Sequence, residues 1–464
     1  MLLNVFLSLF TAVFVRSAAI NKSSYLDSLW PSGRPIPFAF EEGLSIDLQH
    51  KVKDALSLLS EKTCIRFEKF TDGAHPNDTV LFFSDGRGCG SFVGKIVNET
   101  YPFQKINLEF SCRNTRVIMH EILHAVGLAH TQCRYDRDEY VSFLENRTQP
   151  DQLHNFVLFP REQYDNYDVP YDFSSIMHYR SYDFALNSAL PNLIAKDPLY
   201  QSAIGEHHSV PAHSDLLLVN RLYGCVEKCN TTCENDGFPN PNNCGTCICP
   251  HGFDGRHCAD RALGENGSNP CGATLHVSAS LSRLTESLSA SGANRMTCYW
   301  HLQAAEGQRI ELKFNSAGSP RGKCSSYASG GTELRLGTFE VGGYLFYCPE
   351  HLPNTTIISQ GSLVVISLEA FQSEQQFDVE YRSVPPGWTR KGVGQKCSLV
   401  EAVFGLSVVP YFDQIVDNLQ PAIAVSLKQC HDAQTLEIPR ATAITSMNLN
   451  IFVAKDSDDL LEGT

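Results

Sequence analysis

His120-Glu121-Ile122-Leu123-His124-Ala125-Val126-Gly127-Leu128-Ala129-His130 decides how this chain is read. On a helix, residues four apart stack on one face. His120 and His124 can therefore aim two imidazole nitrogens at one ion, at the ~2.0–2.1 Å that zinc prefers. Glu121 lies beside the first of them, within reach of a water on that ion. Gly127 can take the positive φ that other residues resist. The helix can end there, and the chain can turn to bring in His130 as a third ligand. Three histidines leave one position open for water, which marks a catalytic rather than a closed structural site.

A bare H-E-x-x-H also arises by chance in ordinary helices. The glycine and the third histidine at fixed offsets make that reading a poor one. A second string adds weight: Ser175-Ile176-Met177-His178-Tyr179, whose methionine follows His130 by 47 residues. Met177 standing alone would be an ordinary core methionine. As an apolar turn, the string can support the floor of a metal site.

The extended motif with its methionine turn resembles the metzincin metallopeptidases. Within them the flanking residues resemble the astacin family. These are Arg134-Tyr135-Asp136-Arg137-Asp138, Trp30-Pro31 with Ile36-Pro37-Phe38, Gly88-Cys89-Gly90-Ser91-Phe92-Val93-Gly94, and a closing helix Asp215 to Tyr223 before Cys225. The resemblance spans about 200 residues. It implies an α+β, two-lobed catalytic domain over 20–225 with one Zn²⁺, held by His120, His124 and His130. It implies Glu121 as general base and Tyr179 as a switchable ligand that stabilises the transition state. Cys64–Cys225 and Cys89–Cys112 disulfides follow from it too. The implied activity is hydrolysis of internal peptide bonds in extracellular proteins. An extended substrate is expected to pair with an edge strand near Val80-Leu81-Phe82-Phe83 or the loop after it.

Composition bounds the remainder. The 464 residues suggest about three domains, and 42% hydrophobic with 19% charged residues are globular values. A net charge of −14 argues against a nucleic-acid partner. The apolar run Met1 to Val15 and the small residues Ser17-Ala18-Ala19 read as a signal peptide over 1–19. No other stretch reaches the length of a membrane span, Leu399 to Phe412 being the nearest. The chain is expected to be secreted and extracellular. Sequons at Asn21, Asn77, Asn98, Asn146, Asn230, Asn266 and Asn354 agree with that compartment.

The 17 cysteines divide the chain into regions, and the odd number leaves one over. Residues 226–260 resemble an EGF-like module, which implies pairs Cys229–Cys244, Cys233–Cys247 and Cys249–Cys258. Alternating apolar runs over 271–385 read as all-β. Around Cys271 and Cys298-Tyr299-Trp300 they resemble a CUB sandwich, implying Cys271–Cys298 and Cys324–Cys348. Neither module carries the acidic pattern of its calcium-binding relatives. Their expected role is to target substrate or matrix, with a plain spacer as the alternative. Family members act on matrix, cuticle or egg-envelope proteins, growth-factor precursors and food protein. Residues 386–464 stay unassigned, with Cys397–Cys430 the obvious pair.

Cys133 is left over, either a thiol that reaches the metal or a buried free thiol. His207, His208 and His213 read as part of a loop before the last helix rather than a second metal site. A catalytically dead adhesion protein is the competing reading. Such relatives usually lose a ligand or the base, whereas all five site residues are present. One departure concerns the residue after the third histidine. The family has a glutamate there to meet a buried N-terminal ammonium, and this chain has Thr131. Only Ile20 to Leu29 separate the expected cleavage point from Trp30, with no convincing activation site among them. The expectation is secretion without latency and an N-terminus left in solvent.

Overall fold

The computed structural model describes residues 18–24, 26–71, 79–96, 103–206, 211–266, 269–291, 294–320 and 327–388. Two units separate in it, Met1–Pro386 and Gly387–Thr464, and only residues 387 and 388 of the second are described. The first unit begins with β1 (Ala19–Ile20), β2 (Ile36–Phe40), α1 (Ile46–Lys62), β3 (Phe67–Lys69), β4 (Val80–Ser84), β5 (Cys89–Gly90), β6 (Phe103–Leu108), α2 (Thr115–Ala125), β7 (Val141–Phe143), β8 (Tyr164–Asp165), β9 (Leu193–Ala195) and α3 (His213–Leu222).

Five strands form one sheet in the order β3-β2-β4-β6-β5. All pairs are parallel except β5–β6. An interior parallel strand is covered on both faces and reads as a continuous apolar run; Val80, Leu81 and Phe83 are buried accordingly. Of the two places expected for a substrate edge, β4 is ruled out because it is hydrogen-bonded on both sides, while the segment after it holds an edge at Cys89–Gly90 in β5, β3 being the other edge of the sheet. In α1, Ser45 caps the first turn by accepting from the Leu48 N–H, and Leu48, Val52, Ala55, Leu56 and Leu59 make the buried stripe. This stripe shares one core with Ile118 and Ile122 of α2, Leu218 and Leu222 of α3, and Met177.

Past His130 the chain runs mostly in short turns, with one hairpin-like pair β7–β9. It has its own core of Val141, Phe156, Tyr171, Phe173, Leu193 and Ile204. The Arg134-to-Asp138 string forms part of this second lobe's frame. Arg134 is fully buried and grips Asp136 through two bonds of 2.8 and 2.7 Å, with its guanidinium 5.0 Å from the Tyr171 ring. Arg137 donates to the Phe156 carbonyl at 2.6 Å.

The N-terminal expectation is not met. Ala18, Ala19 and Ile20 are buried, β1 pairs with β8, and the Ile20 N–H donates to the Gly127 carbonyl at 3.0 Å. Tyr167 Oη donates to the Ile20 carbonyl at 2.8 Å. Small apolar residues and paired backbone can be buried without a carboxylate, so Thr131 is no obstacle.

Six disulfides are formed among the described residues: Cys64–Cys225, Cys89–Cys112, Cys229–Cys244, Cys233–Cys247, Cys249–Cys258 and Cys271–Cys298. Three of them staple residues 229–258, where β10 (Phe238–Pro239) pairs with β11 (Cys247–Ile248) and β12 (Phe253–Asp254) with β13 (Asp260–Arg261). So small a segment has too little core to fold unaided. Cys324, Cys397 and Cys430 lie outside the described residues.

A β-sandwich follows, of β14 (Gly264–Asn266), β15 (Asn269–His276), β16 (Ser282–Ser289), β17 (Met296–Gln303), β18 (Arg309–Gly318), β19 (Gly330–Arg335), β20 (Tyr344–Phe346), β21 (Ile357–Ile358), β22 (Leu363–Ala370) and β23 (Glu374–Val384). One sheet has the order β14-β15-β17-β22-β19-β20, the other β16-β23-β18-β21. Trp300 meets Phe377 edge-on at 5.1 Å in the core between them. Among the described residues no helix is long and apolar enough to cross a membrane.

Candidate active site

Asn114 starts α2 by accepting from the Val117 N–H at 3.0 Å, which sets the register that puts His120 and His124 one turn apart. A helix end leaves carbonyls without partners. Here the Trp30 indole donates to the Ala125 carbonyl at 2.7 Å, Tyr223 Oη to the Val126 carbonyl at 3.1 Å, and the Gly94 N–H to the His124 carbonyl at 2.8 Å. The Trp30-Pro31 and Gly88-to-Gly94 strings therefore secure the end of the histidine helix. Gly127 has φ +107°, and a Cβ there would stand 3.1 Å from Leu222 Cδ2. No other residue suits the turn that carries the chain to His130.

The three imidazoles converge. His124 Nε2 lies 3.1 Å from His130 Nε2, which lies 3.3 Å from His120 Nε2. Two nitrogens held tetrahedrally about 2.0–2.1 Å from zinc stand about 3.3–3.4 Å apart. His120 Nδ1 donates to the Ile176 carbonyl at 2.6 Å, and His124 Nδ1 donates to the Leu128 carbonyl at 2.7 Å. Each bond leaves the Nε2 lone pair free for a cation. Burial pushes the pKa of His120 down to about 4 and that of His124 down to about 3, and holds His130 well below the ordinary value. Three neutral imidazoles facing one point suit a metal and little else.

Glu121 is buried next to the triad, its Oε2 has no protein partner, and desolvation raises its carboxyl to about 7. The Met177 turn lies beneath. The Thr131 N–H donates to the Met177 carbonyl at 2.9 Å, and Asp215 accepts from Ser175 Oγ at 2.6 Å and from the Ile176 N–H at 3.1 Å. The Tyr179 ring packs on His130 at 4.6 Å, Phe184 at 5.4 Å and Phe156 at 5.6 Å. The Tyr179 N–H donates to Gln132 Oε1 at 3.1 Å, and burial raises the Tyr179 phenol.

Cys133 is not at the metal point. Its Sγ donates to the Asn155 carbonyl at 3.0 Å, and desolvation pushes its thiol up to about 12. His213 opens α3, with Nε2 against the Asp236 carbonyl at 2.9 Å, while His207 and His208 lie outside the described residues. Sequence reading missed Asp215 and Gln132 as site residues. Asp215 stands far from the histidines in the chain, and Gln132, only two residues past His130, carries no signal of its role because its partner Tyr179 is 47 residues away.

Residues 22–224 match the family model described as Astacin (Peptidase family M12A). Zinc metalloproteinase nas-27 of Caenorhabditis elegans is 30% identical over 368 residues, covering 75% of this chain and 84% of that protein. The chain belongs to the astacin family. Zinc metalloproteinase nas-28 of the same organism, 30% identical, covers 80% of this chain and 73% of its own length. Among solved structures, the hatching enzyme high choriolytic enzyme 1 of the medaka Oryzias latipes is 26% identical, with TM-score 0.40 over 44% of this chain and 98% of its own. Astacin-family proteins are zinc metalloendopeptidases. The triad of this member, with its lone-pair geometry, fits that metal.

Proposed function

We propose that this astacin-family enzyme is a secreted endopeptidase in which His120, His124 and His130 hold one zinc ion and Glu121 is the general base. The carrying observation is the buried Glu121 Oε2, without a protein partner, beside three converging Nε2 atoms. Zinc bound there supplies a Lewis acid that acidifies a water and polarises the scissile carbonyl. Glu121 takes the proton of the attacking water and delivers it to the leaving amine. Its buried setting excludes competing solvent and keeps that proton close. Tyr179 stabilises the developing oxyanion with its hydroxyl, which stays protonated because burial raises its pKa. The antiparallel edge strand β5 offers N–H and C=O groups to an extended substrate backbone.

Residues 226–260 act as an EGF-like module and 271–385 as a CUB module. The three closely spaced disulfides and the two-sheet sandwich support those assignments. Protein substrates of the matrix or cuticle type suit this architecture. The disulfides among the described residues fit an oxidising compartment. Asn146, Asn230 and Asn354 are exposed and Asn21 partly so, as glycan acceptors must be, while Asn77 and Asn98 lie outside the described residues. Asn266 falls in β14. The test is cleavage of casein by the purified secreted protein with and without 1,10-phenanthroline. Loss of cleavage on chelation is expected, and chelator-resistant cleavage would defeat the proposal.

A further inference from the structure

The sandwich is built into the second lobe rather than tethered beside it. Leu345 and Tyr327 are 2% and 1% exposed, and they belong to the same core cluster as Phe156, Tyr171 and Phe173. Tyr179 packs against that cluster. Polar contacts seal the seam. Ser202 Oγ donates to the Leu345 carbonyl at 2.5 Å, Tyr344 Oη donates to Asp197 Oδ2 at 2.8 Å, and Arg221 lies 3.4 Å from Glu340.

The contact nearest the chemistry is at Asp172, three residues before Ser175. This carboxylate is fully buried. It accepts from the Ser174 N–H at 2.8 Å, Ser174 Oγ at 2.7 Å, Ser214 Oγ at 2.5 Å and, across the seam, the Gly342 N–H at 3.2 Å. Gly342 lies in the connection from β19 to β20. A Cβ on it would run into Ser174 Oγ and lie 2.8 Å from Ser174 Cβ. The backbone of Gly342 is outside the left-handed region, so alanine brings no strain of its own. What glycine provides at 342 is the closeness of the approach.

We infer that the segment Phe339–Phe346 of the sandwich is a positioning element of the peptidase site, acting on the Met177 turn through Gly342 and Asp172 and on Tyr179 through the core that Leu345 completes. The inference rests on the peptidase reading above. A buried carboxylate that loses a donor shifts or draws in water. Ser174 and Ser175 would move with it, and with them Ile176, whose carbonyl orients His120. The sandwich then sets catalytic geometry as well as whatever it binds.

The test uses the full-length secreted chain on a quenched peptide substrate. Gly342→Ala is expected to lower kcat by about 10- to 100-fold, the scale of a misplacement near 1 Å. KM should stay within about twofold, because no substrate contact is touched. Zinc content should be unchanged. Ser174→Gly in the same chain removes the colliding atoms and should restore kcat to within about threefold of Ser174→Gly alone, a rescue that general destabilisation would not show. Wild-type kcat in Gly342→Ala, or a loss that Ser174→Gly leaves in place, overturns the inference. If Gly342→Ala is not secreted, Leu345→Ala carries the test: kcat should fall with KM kept, and an unchanged kcat overturns it. Glu121→Gln is assayed alongside. The wild type is also assayed with 1,10-phenanthroline: chelator-resistant cleavage would sink the zinc-peptidase reading itself, whereas chelator-sensitive cleavage, an inactive Glu121→Gln and a fully active Gly342→Ala sink only this inference.

Discussion

Ser175 donates its hydroxyl proton to Asp215 at 2.6 Å, tying the methionine turn to the start of α3. Ser175 Oγ in turn accepts from Thr131 Oγ1 at 3.1 Å and from the Met177 N–H at 3.0 Å. The residue after the third histidine, the turn and the closing helix thus form one buried polar chain. Thr131, anomalous as a partner for an ammonium, is the first donor of that chain.

Removing the end of this chain should loosen the site floor. Asp215→Ala strips the acceptor from Ser175 Oγ and the Ile176 and Ala212 N–H groups. Each buried donor left unpaired costs about 1–3 kcal/mol. A fall in Tm of several degrees is expected by calorimetry, and zinc affinity measured against a competing chelator should weaken, because the Ile176 carbonyl orients His120. An unchanged Tm would show that water replaces the carboxylate at no cost.

Glu121→Gln leaves all three histidines in place. Zinc content by atomic absorption should match the wild type, while kcat falls by about 10²–10⁴-fold, the usual contribution of a positioned base. Retention of more than about a tenth of the rate would mean that another group moves the proton.

Tyr179→Phe keeps the ring that packs on His130, Phe156 and Phe184 and removes only the hydroxyl. The loss should fall on kcat, since the oxyanion exists only in the transition state. A rise in KM with kcat intact would instead place the phenol in substrate binding.

Gly127→Ala forces a side chain into φ +107° and a 3.1 Å contact with Leu222. Strain of about 1–3 kcal/mol is expected, together with weakened zinc retention, because the turn at 127 sets where His130 arrives. The checks are Tm and zinc retained after dialysis against a mild chelator. Wild-type values for both would show that the turn is not limiting.

Chelation should act on the fold as well as on the rate. Without a cation, three Nε2 lone pairs face one another across 3.1 and 3.3 Å. Dialysis against 1,10-phenanthroline is therefore expected to lower Tm along with activity, and added zinc to restore both.

The sequence by itself determined the metal site. His120, Glu121, His124 and Gly127 lie within about two helical turns, where residue spacing fixes direction. The disulfide pairs came from the family and module resemblances rather than from spacing; Cys64 and Cys225 stand 161 residues apart. The sequence could also place β4 inside a strand from its apolar run, but not between two neighbours; pairing depends on distant segments. Burial of Ala18 to Ile20 against Gly127, the acceptor role of Asp215, and the seating of Leu345 and Gly342 in the second lobe were decided by the tertiary structure alone. Each of these joins residues far apart in the chain through a carbonyl, a carboxylate or a packed face. Residue type alone does not specify a partner across such a distance. Local periodicity fixes which atoms can point at a metal, and only the packed fold fixes what holds them there.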